Sequence, residues 1–155
     1  MGFSDPRIGG GTAVDPGLLG ELLSHAVARA NFSGDADFQR AVGDRSITPL
    51  RYSLLELIGA NPGLQQVQLA EALQLSRSAV TLAIDYWQGR GCVERRTSTI
   101  DRRSFGINLT ETGNALLADL RTRVLAHDRR FAACLNQHER AELGRLLHKL
   151  QGGAE

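Results

Sequence analysis

Nowhere does this chain approach the ~18–20 consecutive apolar residues that a membrane-spanning helix requires. Cysteine is scarce: Cys92 and Cys134 are the only two, and they form neither a CxxC pair nor a metal-type spacing. A zinc site and a disulfide framework are therefore not expected. The histidines His25, His127, His138 and His148 lack any HExxH-type ligand spacing, so no metal site is expected from them. A phosphate-cradling glycine loop and a nucleophile–base arrangement are also missing, which argues against an enzyme. The opening stretch, MGFSDPRIGGGTAVDPG, is polar and glycine-rich where a signal peptide would be apolar, so a cytoplasmic location is expected. Lysine occurs once, at Lys149; every other basic side chain is arginine.

What is present suits a soluble globular domain. Hydrophobic residues make up 42% and charged residues 23% of 155, enough to bury one core. A net charge of +1 does not announce a nucleic-acid partner, but the distribution is uneven. Between Ser76 and Ser104 lie Arg77, Arg90, Arg95, Arg96, Arg102 and Arg103, against Asp85, Glu94 and Asp101.

Periodicity orders the chain. Residues 1–16, with GGG and two prolines, show no apolar face and are expected to be disordered. Helical spacing begins at Leu18 and runs through Leu22, Ala26 and Ala30, after which NFSGDAD is expected to interrupt it before Phe38. Thr48-Pro49 starts a helix bearing Leu54, Leu55 and Ile58, and Asn61-Pro62-Gly63 ends it. A short helix follows with Val67, Leu69, Ala70 and Leu73; Gln65 stands at its cap position, a weaker cap than Ser or Thr. Ser76 caps a second helix through Arg90, closed by Gly91, with Val80, Ile84 and Trp87 as its buried stripe. Its opposite face carries Arg77, Ser78, Thr81 and Asp85, with Leu82 beside them. Cys92–Arg96 and Phe105–Leu109 alternate as strands joined by STIDRRS. Thr110 caps a long helix with Leu117, Leu120 and Val124, and Asn136 with Glu139 forms a capping box for a last one.

Helix, turn, helix, then a charged hairpin and a long helix make a mainly α winged helix-turn-helix. From about Ile47 to Leu117 the chain resembles the MarR family of transcriptional regulators. ITPLRYSLLELI, NPGLQQVQLAEALQLSRSAV, DYWQGRGCVERR and DRRSFGINLTETG carry the resemblance in that order. It implies a tail over 1–16, a dimerisation helix region over 17–46, a winged DNA-binding domain over 47–110 and C-terminal dimerisation helices over 111–151. It further implies a homodimer on double-stranded, pseudo-palindromic DNA, acting as a ligand-responsive repressor. Relatives commonly carry Arg or Lys where this chain has Leu82, and often Arg in place of Tyr86.

Ser76, Arg77, Ser78, Thr81 and Leu82 are the candidates on the recognition helix, Ser76 as a cap that can also face a phosphate. Leu82 either touches a thymine methyl or lies against the protein. Arg90, Arg95 and Arg96 either grip phosphates from the base of the wing or pair on the surface, Arg95 with Glu94 or Asp101. At the wing tip Arg103 is assigned to the minor groove, Arg102 to a phosphate, and Asp101 to orienting Arg103. The resemblance places an effector pocket between the dimerisation helices and the winged domain, with His25, Arg29, Phe32, Phe38, Arg51, Tyr52 and Leu55 as candidates. It points to an aromatic acid or its CoA thioester as the effector. Two rival readings stand beside this one: a winged helix used as a protein-interaction module, and a thiol-based redox regulator using Cys92 or Cys134.

Overall fold

Packing gathers around Trp87, the chain's single tryptophan, which is fully buried and donates its indole N–H to the Arg51 carbonyl at 2.9 Å. The computed structural model describes residues 14–97 and 105–152. After a 3₁₀ turn at Gly17–Gly20 come α1 (Leu23–Val42), α2 (Pro49–Ala60), α3 (Gln66–Leu73) and α4 (Arg77–Gly89). The antiparallel strands β1 (Val93–Thr97) and β2 (Phe105–Leu109) follow, then α5 (Glu111–Phe131) and α6 (Gln137–Leu150). The chain is thus mainly helical with a two-stranded wing, as its periodicity predicts.

Local chemistry explains most helix starts. Thr48 accepts from the Arg51 amide at 3.3 Å with Pro49 in the first turn, and Ser76 accepts from the Ala79 amide at 3.3 Å. Asn136 and Glu139 exchange reciprocal bonds of 3.0 and 2.8 Å at the head of α6. At α3 the absence of a hydroxyl is compensated: Gln68 reaches back to accept the Gln65 amide at 2.9 Å. Leu54, Leu55, Ile58, Leu69, Val80 and Ile84 then close over Trp87, and β1 and β2 add Val93 and Ile107. Each such side chain contributes about 1.5–3 kcal/mol on burial.

The LTETG stretch welds the wing to α5. Thr110 accepts the Gly113 amide at 3.0 Å and donates its hydroxyl to the Gly91 carbonyl at 2.6 Å. Its own amide donates to the Cys92 carbonyl at 3.0 Å. A Cβ on Gly113 would stand 2.0 Å from that same carbonyl oxygen, so only glycine fits. On the other side of the sheet, Gly63 and Leu64 bond the Ile107 backbone at 3.0 and 2.9 Å, extending the wing's base by a bridge.

Two expectations are corrected in the N-terminal region. Helix does not begin at Leu18, since Gly17–Gly20 forms a 3₁₀ turn and α1 starts at Leu23. Nor does NFSGDAD interrupt: α1 runs unbroken through it to Val42 and stops at Gly43, whose φ of +73° is left-handed. Packing overrides the weak local propensity there. A Cβ on Gly34 would lie 3.2 Å from the Phe131 ring, so the glycine admits α5 close to α1, while Phe38 and Val42 are buried behind it.

Candidate nucleic-acid interface

Gln74 breaks α3 with a left-handed φ of +52°, and the Leu75 amide closes the turn on the Ala70 carbonyl at 2.9 Å. That turn sets α4 across α3 with Val80, Ala83, Ile84 and Trp87 facing inward. Arg77, Ser78 and Leu82 therefore face outward and are exposed. Among the described residues no carboxylate pairs with the Arg77 guanidinium. Ser76 does what its cap role requires and also shares a 3.0 Å contact between its hydroxyl and that of Ser78.

Thr81 is less open than the helical wheel suggests. It is half-buried, its hydroxyl donates to the Arg77 carbonyl at 2.8 Å, and it accepts from the Gln66 amide group. Gln66 also reaches the Arg77 carbonyl at 3.3 Å. Thr81 thus ties α3 to α4 as well as lying near the outer face.

Beyond Leu82 the helix is braced. Asp85 holds Arg95 of β1 at 2.9 Å, so the partner of Arg95 lies on the recognition helix and not at Glu94. Glu94 pairs with Arg96 instead. Arg90 donates to Asp44 at 2.8 Å, to the Tyr86 hydroxyl at 2.6 Å and to Ser46 at 3.2 Å. The Ser46 and Tyr86 hydroxyls lie 2.6 Å apart, and Ser46 donates to Asp44 at 2.6 Å. Hydrogen bonds from the Ser46 hydroxyl, the Arg90 guanidinium and the Ser46 amide, in that order, hold the Asp44 carboxyl down at about 2. In turn Asp44 and Tyr86 push the Arg90 pKa further up. Arg51 completes the cluster by stacking 3.8 Å above the Tyr86 ring and donating to the Ser46 carbonyl. The loop after α1 is in this way latched to the last turn of α4. The wing-tip residues Asp101, Arg102 and Arg103 lie outside the described residues.

The seven pocket candidates do not converge in one chain. Leu55 is fully buried in the core, and Arg51 stacks on Tyr86. His25 is half-buried, whereas Arg29 and Phe32 are exposed. Phe38 and Tyr52 do meet, their rings 6.1 Å apart, and Phe38 also meets His127 at 5.8 Å. His127 stacks on Phe131 at 6.0 Å. Nearby, the Tyr52 hydroxyl donates to Glu56 at 3.3 Å, and Glu56 grips Arg121 through bonds of 2.7–3.2 Å. Arg121 holds the Glu56 carboxyl below its usual range, while burial pushes the Tyr52 phenol up. His127 and Phe131 were legible in principle: they continue the stripe of Leu120 and Val124 at i+7 and i+11.

Cys92 is 2% exposed and burial raises its thiol pKa, the behaviour of a small core residue. Cys134 is exposed in the turn between α5 and α6. Among the described residues no helix is long and apolar enough to cross a membrane, and no cluster suits a metal ion.

Known proteins share this arrangement. A model of the MarR family matches residues 46–104, from the latch loop to the wing. The putative transcriptional regulatory protein for the hcr operon of Thauera aromatica is 33% identical over 134 residues, 86% of this chain and 80% of that protein. The transcriptional repressor CouR bound to a 23-mer DNA duplex is 34% identical, with a TM-score of 0.82 over 89% of this chain and 98% of its own. CouR bound to p-coumaroyl-CoA is 31% identical, with a TM-score of 0.81 over 89% and 97% of the two chains. Fold, interface and relatives agree: the chain belongs to the MarR family of DNA-binding transcriptional regulators.

Proposed function

We propose that this regulator is a ligand-responsive repressor that binds a pseudo-palindromic operator as a homodimer in the cytoplasm. The observation that carries the reading is the free first half of α4, where Arg77 and Ser78 stand exposed, in a chain similar over 89% of its length to a DNA-bound repressor. Arg77 and Ser78 meet the major groove, and Arg102 and Arg103 of the wing meet phosphate and minor groove, with Asp101 orienting Arg103. The protein acts by binding and not by catalysis.

Exposed apolar side chains support the dimer. Leu18, Leu19, Leu23 and Val27 near the N-terminus, and Leu143, Leu146 and Leu150 on α6, are between 40% and 68% exposed in the single chain. These two segments are the ones assigned to dimerisation. The effector class we favour is an aromatic acid or its CoA thioester, supported by the similarity to CouR bound to p-coumaroyl-CoA. The Phe38–Tyr52–His127 cluster between α1, α2 and α5, with Phe38 buried and the other two half-buried, is where the aromatic part would be received. Burial and a raised thiol pKa at Cys92 speak against control through that cysteine.

Binding to palindromic DNA taken from upstream of the protein's own gene tests the reading. Affinity is expected to fall steeply with salt, and Arg103→Ala is expected to weaken it with little change in sequence preference. Salt-insensitive binding, or no effect of Arg103→Ala, would favour a winged helix used for protein contacts.

A further inference from the structure

We infer that Leu82 reads a thymine in each operator half-site through the base's 5-methyl group; this rests on the DNA-binding reading above. The remaining apolar side chains at the centre of α4, Val80, Ala83, Ile84 and Trp87, are all buried. Leu82 alone among them points away from the core and is 70% exposed. It does not lie against the described residues of its own chain. A lone exposed leucine is common on protein surfaces and by itself means little. The position gives it meaning. Leu82 sits one helical turn after exposed Ser78 and three residues before the braced Asp85, beside the polar residues that α4 turns outward.

Chemistry narrows the partner to one group. Leucine neither donates nor accepts hydrogen bonds, so it gains nothing from a phosphate or from the polar edges of guanine, adenine and cytosine. Covering such an edge would strip its water without replacing the bonds. The thymine 5-methyl is the one apolar group that the base edges display in the major groove. The neighbours that might have supplied a polar reader instead are engaged: the Thr81 hydroxyl with Arg77 and Gln66, and Asp85 with Arg95. A methyl contact of this kind is short-ranged and discriminates by position, so it sets which base is preferred more than how strongly any DNA is held.

Deoxyuridine replaces thymine without altering its pairing or its hydrogen-bonding groups and removes only the methyl. Thymines of the footprinted operator would be replaced one at a time, and the affinity of the full-length protein measured for each duplex. The expected result is one symmetry-related thymine per half-site whose replacement weakens binding ~4-fold, or ~15-fold when both are replaced, the loss for one buried methyl and for two. Leu82→Ala is expected to bind thymine and uracil duplexes equally at that position, while Leu82→Met keeps the discrimination. Because the side chain is exposed, both variants should match the wild type in thermal unfolding. The inference is overturned if no thymine is methyl-sensitive, or if the sensitivity survives in Leu82→Ala. Failure of the wild type to bind any duplex overturns the DNA-binding reading, and the inference with it.

Discussion

In the first half of α4, Arg77, Ser78 and Leu82 are open to solvent; from Asp85 to Arg90, the chain commits nearly every polar group to a neighbour. Arg77, Ser78 and Leu82 are exposed, and no carboxylate among the described residues pairs with Arg77. Asp85, Tyr86, Trp87 and Arg90 instead reach β1, the loop after α1, and the Arg51 backbone. The contrast teaches that the fold engages the arginines of one cluster to different degrees. A guanidinium already seated on a carboxylate at 2.8 Å, as Arg90 is on Asp44, ties the end of α4 to the loop after α1. A reading end that must fit a groove gains from a rigid opposite end, since the latch fixes where the free residues point.

Breaking the braced end at its centre should have the largest effect. Trp87→Ala removes a fully buried ring and its bond to the Arg51 carbonyl, and is expected to cost about 3–5 kcal/mol in urea unfolding, with DNA affinity falling alongside. Loss of the latch is milder. Asp44→Asn should cost on the order of 1 kcal/mol at neutral pH, because the pair is about one-third exposed and screened by solvent. Its pH dependence has a fixed sign. The folded carboxyl lies at about 2, below the ordinary 3.8, so its stabilisation is complete above about pH 4 and is lost as pH falls toward 2. The stability gap between wild type and Asp44→Asn, followed by unfolding at a series of pH values, should close over that window. The smallest effect belongs to the exposed Asp85–Arg95 pair: Asp85→Ala should change stability by only ~0–1 kcal/mol.

Features fixed by neighbours in sequence were legible in advance. Thr48-Pro49, Ser76, Thr110 and Asn136 all start the helices that their chemistry predicts, and the Val80–Ile84–Trp87 spacing named the buried face of α4. Features fixed by neighbours in space were not. Asn31–Asp37 reads as a break, yet α5 packs against it and keeps it helical. The seat of Arg51 over Tyr86 joins residues 35 positions apart, and no local pattern marks it. The same holds for Arg90 and Asp44, whose pairing decides whether a basic residue near the wing is free. Exposure of Leu82 was undecidable from the sequence because helical spacing alone leaves it at the border of the polar face.

Salt dependence of DNA affinity tests the division of α4 most directly, comparing the wild type with Arg77→Ala and Asp44→Ala. Arg77→Ala should weaken binding and flatten the slope of log affinity against log salt by about one. Asp44→Ala should also weaken binding, through a loosened helix, but leave that slope unchanged. Tighter binding with a steeper slope in Asp44→Ala would mean that Arg90, once released, grips a phosphate, and would contradict the assignment of the braced end to positioning.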